Sequence, residues 1–121
     1  MGASETVVFV HLIAELTGIA SARLHDRALL GGLLIAAAGA AGLHAAHPPT
    51  MQSLDARGVD GILLLEGGHA AVHTYASQRT LLLDLLAPES ADLARALEVF
   101  TRRLAPATVS AERRVRMRHA S

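Results

Sequence analysis

The run Glu66-Gly67-Gly68-His69-Ala70-Ala71-Val72-His73-Thr74-Tyr75 concentrates groups that can move protons around a pair of glycines. Imidazoles titrate close to neutrality, so His73 and His69 are candidate acid–base groups, with the Glu66 carboxylate beside them. Gly67 and Gly68 offer no side chain, only the backbone freedom of a tight turn. If the segment after the glycines is a strand, His69 and His73 share a face but stand about 13 Å apart. They cannot hold one metal ion as the same spacing would on a helix, so no metal site is expected from this pair.

The elements that would position these groups can be read on either side. Residues 59–66 (VDGILLLE), 69–76 (HAAVHTYA) and 79–86 (RTLLLDLL) read as three consecutive strands joined by short turns, with Gly67-Gly68 as the first turn. Earlier, residues 7–16 (VVFVHLIAEL) alternate with period two. Phe9, His11, Ile13 and Glu15 fall on one face, and a wholly apolar set falls on the other. Residues 22–42 read as one helix, with Ser21 as N-cap and an apolar surface nearly all round, which predicts cover on more than one side. Residues 44–57, interrupted by Pro48-Pro49, read as an edge strand or a loop. Ser90 is placed to cap a helix over 91–104 in which Leu93, Leu97, Phe100 and Leu104 line one side and Glu98 pairs with Arg102 on another. A last strand over 107–112 precedes a basic tail, 113–121.

This order predicts an α+β two-layer sandwich, a mainly antiparallel sheet with two helices on one face, in a single domain spanning 1–121. His11, Glu15, His69, His73 and Tyr75 then lie on the uncovered face, and Thr80, Leu82 and Asp84 share a face of the next strand. Alternation does not by itself distinguish a site from the wet side of a one-sided sheet.

Composition narrows the classes. The formal net charge is zero, with 11 basic and 11 acidic residues, which gives no global field toward nucleic acid or an anionic membrane. The absence of cysteine excludes disulfides, thiolate metal sites and cysteine catalysis. The apolar stretch 28–43 falls short of the roughly 18 residues expected of a spanning helix. The expectation is a cytoplasmic protein with no membrane or nucleic-acid partner.

Taken together, three motifs resemble the small prokaryotic S-adenosylmethionine decarboxylases. They are His11-Leu12-Ile13-Ala14-Glu15, Gly58-Val59-Asp60-Gly61 with the apolar strand after it, and His69-Ala70-Ala71-Val72-His73-Thr74-Tyr75, similar to the family's His-x-x-x-His-Thr-Trp. The resemblance implies an S-adenosylmethionine decarboxylase-like sandwich, frequent dimerisation and a place in polyamine (spermidine) biosynthesis. It also implies a self-made cofactor. In the family a turn Ser attacks the carbonyl of the preceding Glu, and elimination leaves a pyruvoyl group that serves as electron sink.

By that likeness the Glu-Ser pair falls on Gly67-Gly68, the processing Ser on Asp60, and the acid after His-Thr-Trp-Pro on Ser77. The proton-donating Cys falls near Ala87-Pro88, and the adenine-stacking aromatic on Leu54. His73 stands where the family uses a His in self-processing. Glycine has neither the hydroxyl to attack nor the β-carbon to eliminate, so no pyruvoyl cofactor is expected. The expected function is a pseudoenzyme, a ligand-binding or regulatory subunit. It would recognise an S-adenosylmethionine-like or polyamine-like molecule, as a homodimer or as a heteromer with an active relative. The alternative is a repurposed small-molecule enzyme with His73, His69, Glu15 or Glu66 as acid or base. Glu15, Tyr75, Gly67, Gly68 and Asp60 are the expected ligand-binding residues, clustered around the turn.

Overall fold

The computed structural model describes residues 8–116. Strand β1 (Phe9–Thr17) leads through α1 (Ser21–Leu24) and α2 (Arg27–Ala40) to four successive strands: β2 (Thr50–Leu54), β3 (Gly58–Leu65), β4 (Gly68–Tyr75) and β5 (Thr80–Pro88). Helix α3 (Leu93–Leu104) and strand β6 (Thr108–Arg116) complete the order. The six strands form one antiparallel sheet in the order β2-β3-β4-β5-β1-β6. The helices lie on one face of it, and the two-layer α+β sandwich expected from the pattern is present.

Several boundaries differ, each for a local reason. The helix expected over 22–42 breaks at His25-Asp26. There the Asp26 carboxylate accepts from the Leu29 amide at 3.0 Å and starts a second helix, a stronger cap than Ser21, which makes no capping bond. Helix α2 is also not covered on several sides. Leu30, Leu33, Leu34, Ala37 and Ala38 face the sheet and α3, while Gly32, Ile35, Ala36 and Gly39 are exposed. Asp92, not Ser90, caps α3, accepting from the Arg95 amide at 3.2 Å. Residues 44–57 resolve into a loop followed by the edge strand β2. Strand β6 outruns its expected end and pairs along all of β1, so Arg113, Arg114 and Arg116 of the expected basic tail belong to a strand. Residues 117–121 lie outside the described part.

The core follows from alternation. Val10, Leu12, Ala14 and Leu16 of β1, Ala70 and Val72 of β4, and Leu81, Leu83 and Leu85 of β5 pack against Leu34, Phe100 and Leu104. Among the described residues Thr74 is the one buried polar side chain. Its hydroxyl accepts from the Val59 amide at 2.7 Å and donates to the Leu24 carbonyl at 2.7 Å. Both hydroxyl roles are filled, as burial requires.

Candidate functional site on the open face of the sheet

The face without helices carries His11, Glu15, His69, His73 and Tyr75, as alternation requires, together with Asp60, Ile13, Ile62, Leu64, Leu82 and Asp84. Several of its apolar side chains are open to solvent, Leu64 at 67%. The polar groups on this face form two separate clusters, each built around one carboxylate.

The first cluster surrounds Asp60. His73 Nδ1 lies 2.7 Å from Asp60 Oδ1, and the Arg57 guanidinium donates to the same oxygen. Asp60 and His73 are direct cross-strand partners, so the register of β3 and β4 creates the pair. Arg57, from the turn before β3, also stacks over the Tyr75 ring at 4.8 Å. Burial alone would raise the Asp60 carboxyl, but the hydrogen bonds and charges of His73 and Arg57 hold it below its ordinary value. Beside the pair, Thr50, Gln52, Gly61, Ile62 and Ala71 help to line a cleft of about 220 Å³ into which Asp60 and His73 also face. A His whose Nδ1 proton is held by a carboxylate presents Nε2 as a base.

The second cluster joins β1, β5 and β4. His11 Nε2 lies 2.7 Å and His69 Nε2 3.0 Å from Asp84 Oδ1, with the imidazole rings edge to face. Burial again pushes the Asp84 carboxyl up, and the hydrogen bonds and charges of the two imidazoles more than offset it, leaving it below its ordinary value.

The expected pocket uniting the turn with His73, Glu15 and Tyr75 is not formed. Leu65 pairs with Gly68, so the turn is Glu66-Gly67 rather than Gly67-Gly68, and Gly68 is the first residue of β4. Gly67 has φ +77°, which explains glycine there. A β-carbon at Gly68 would stand 1.9 Å from the Leu86 carbonyl oxygen, since β5 crosses directly against it. His73 lies five residues up the strand, about 16 Å from Gly68. Glu15 is separated from His73 by Leu82 of β5, about 10 Å away across two strand spacings. Glu66 faces a different cleft with Gly42, Leu43, His44 and Pro88. His69, one of the candidate acid–base groups, is tied to Asp84 rather than placed beside His73.

Arg57 and Asp84 were not among the residues singled out from sequence as site groups. Strand alternation placed Asp84 with Thr80 and Leu82. Its approach to His11, 73 residues away in the chain, depends on register that alternation does not contain.

Residues 10–117 match the family profile described as S-adenosylmethionine decarboxylase. No match to a curated protein was found. Among solved structures, the adenosylmethionine decarboxylase of Aquifex aeolicus VF5 is similar, with TM-score 0.78 and 20% identity, over 97% of this chain and 95% of that one. The similarity to that structure supports the fold, and the profile match, covering nearly the whole chain, supports the kinship. The chain belongs to the S-adenosylmethionine decarboxylase family.

Proposed function

We propose that this is a family member that forms no pyruvoyl group and serves as a ligand-binding or regulatory subunit, linked to polyamine metabolism. The observation that carries the reading is Gly68. It has no hydroxyl to attack the preceding carbonyl and no β-carbon to eliminate, and its backbone packs so closely on Leu86 that a side chain there meets the carbonyl oxygen. The lack of any cysteine agrees, since the family's proton donor has no replacement of its kind.

On this reading the chain works in the cytoplasm, without a pyruvoyl cofactor. The Asp60–His73 cleft takes a small S-adenosylmethionine-like or polyamine-like molecule. The partly apolar open face receives a second copy or an active relative. Intact-mass spectrometry should return one species near 12.6 kDa, allowing for removal of Met1. Two fragments divided at residue 68 would overturn the proposal. A thermal-shift series with S-adenosylmethionine and spermidine tests the ligand, because binding to the native state alone raises the melting temperature.

A second reading rests on the 2.7 Å Asp60–His73 contact. A carboxylate-oriented imidazole facing a cleft is equipped for acid–base catalysis on a small molecule. Turnover of S-adenosylmethionine or spermidine lost in His73→Ala but kept in His69→Ala would select this reading. Glu66, on the other cleft, would be dispensable to it.

A further inference from the structure

We propose that His11, His69 and Asp84 form a binding site for a divalent transition-metal cation of the zinc class, on the open face of the sheet. Three adjacent strands each contribute one group. Both imidazole Nε2 atoms converge on the same carboxylate oxygen, at 2.7 and 3.0 Å, and the three donor atoms lie within 4.8 Å of one another. A cation bound at about 2.0–2.2 Å from each donor needs them roughly 3–3.5 Å apart. The widest gap to close is about 1.3–1.8 Å, within reach of rotation of three part-exposed side chains.

The donor set selects the ion. Two imidazoles and one carboxylate suit Zn²⁺, Fe²⁺, Co²⁺ or Ni²⁺ and are poor ligands for Mg²⁺ or Ca²⁺, which prefer all-oxygen shells. Three protein ligands leave at least one coordination position free, and the absence of helices on this face leaves that position accessible. Side-chain exposures of 17% for His11, 29% for His69 and 41% for Asp84 allow entry from solvent.

Loading requires a definite proton arrangement. In the metal-bound form both Nε2 atoms present lone pairs, and each ring carries its one proton on Nδ1. One neighbour opposes this arrangement: Arg116 Nη2 lies 3.4 Å from His11 Nδ1, a contact that favours the unmetallated tautomer. Arg116 is exposed on the edge strand β6, and its side chain must turn away on loading.

The site is distinct from the Asp60 cluster, where the always-charged Arg57 occupies the carboxylate and offers no lone pair. It is also unlike the His69/His73 pair, whose separation along β4 forbids chelation.

The test uses the full chain made without a polyhistidine tag, stripped with chelator and titrated with zinc chloride by calorimetry. One equivalent should bind, zinc should raise the melting temperature, and cobalt chloride should give visible d–d absorption. His11→Ala, His69→Ala and Asp84→Ala should each lower affinity by about 100-fold or more, since even partners one shell further out cost 10–100-fold. The double variant His44→Ala/His47→Ala and the single variant Arg116→Ala should bind zinc at least as well as the parent. Circular dichroism checks each fold. If Asp84→Ala does not fold, Asp84→Asn keeps the size and a hydrogen-bond acceptor while removing the anionic ligand, and should show the same loss. Absence of stoichiometric binding in the parent, or full affinity in His11→Ala and Asp84→Asn, would overturn the proposal.

Discussion

The two faces of the sheet are made by the same strands in the same register, yet they solve different problems. On the covered face the alternate residues of the four inner strands β1, β3, β4 and β5 are buried, and among the described residues only Thr74 brings a buried polar group, with both its bonding roles filled. On the open face Asp60 and Asp84 each collect two partners, and apolar side chains such as Leu64 stay in solvent. The apolar core therefore lies on one side and the paired ionisable groups on the other. A site on the open face can be altered without dismantling the core. That separation lets a family fold persist while Asp60, on the open face, differs from the Ser the resemblance implies there.

The sharpest way to break this division is to open the covered face. Phe100 of α3 is fully buried in the core between the helices and the sheet, so Phe100→Ala should cost about 3–5 kcal/mol by urea denaturation. A loss below about 1 kcal/mol would mean that the helices do not hold the core as described. Thr74→Val tests the polar exception. Removing the hydroxyl strands the Val59 amide and the Leu24 carbonyl, with an expected loss of about 1–3 kcal/mol. An unchanged midpoint would make the hydroxyl incidental.

The open face should respond to pH more than to truncation. The Asp60 carboxyl is depressed in the folded state, so its contribution is present above the unfolded value of about 3.9. It is lost as pH falls below that value and through the lower folded one. Asp60→Asn should therefore lower stability at pH 7 and flatten the acid arm below about pH 4 by the same amount, a modest one for a partly exposed pair. An acid arm identical to the parent's would place the coupling elsewhere.

Much of this arrangement is legible in particular residues. Period-two alternation in residues 7–16 and 69–76 separated Val10 and Leu12 from His11, and Val72 from His73, correctly. The i,i+4 pair Glu98–Arg102 is present at 3.4 Å. The helix break is not legible in the sequence, because Asp26 reads equally as an early helix residue, and only its carboxylate on the Leu29 amide marks it as a cap. The strand after Pro106 was cut short because alternation in Val109-Ser110-Ala111-Glu112 gives way to arginines, and β1 continues to supply backbone partners beyond that point. The sequence leaves the turn undefined by one residue because either glycine of the pair suits a tight hairpin, and only the Leu65–Gly68 pairing shows that Gly67 takes φ +77°.

By itself the sequence determined which face each strand residue occupies, because side chains alternate with a fixed period. It also determined what chemistry position 68 and a chain without cysteine can never perform, because that is a property of the atoms present. Only the tertiary structure decided which polar groups on the open face meet. Asp60 finds His73, and Asp84 finds His11 and His69. Contact between strands depends on register and strand order, set by the packing of the whole sheet against its helices.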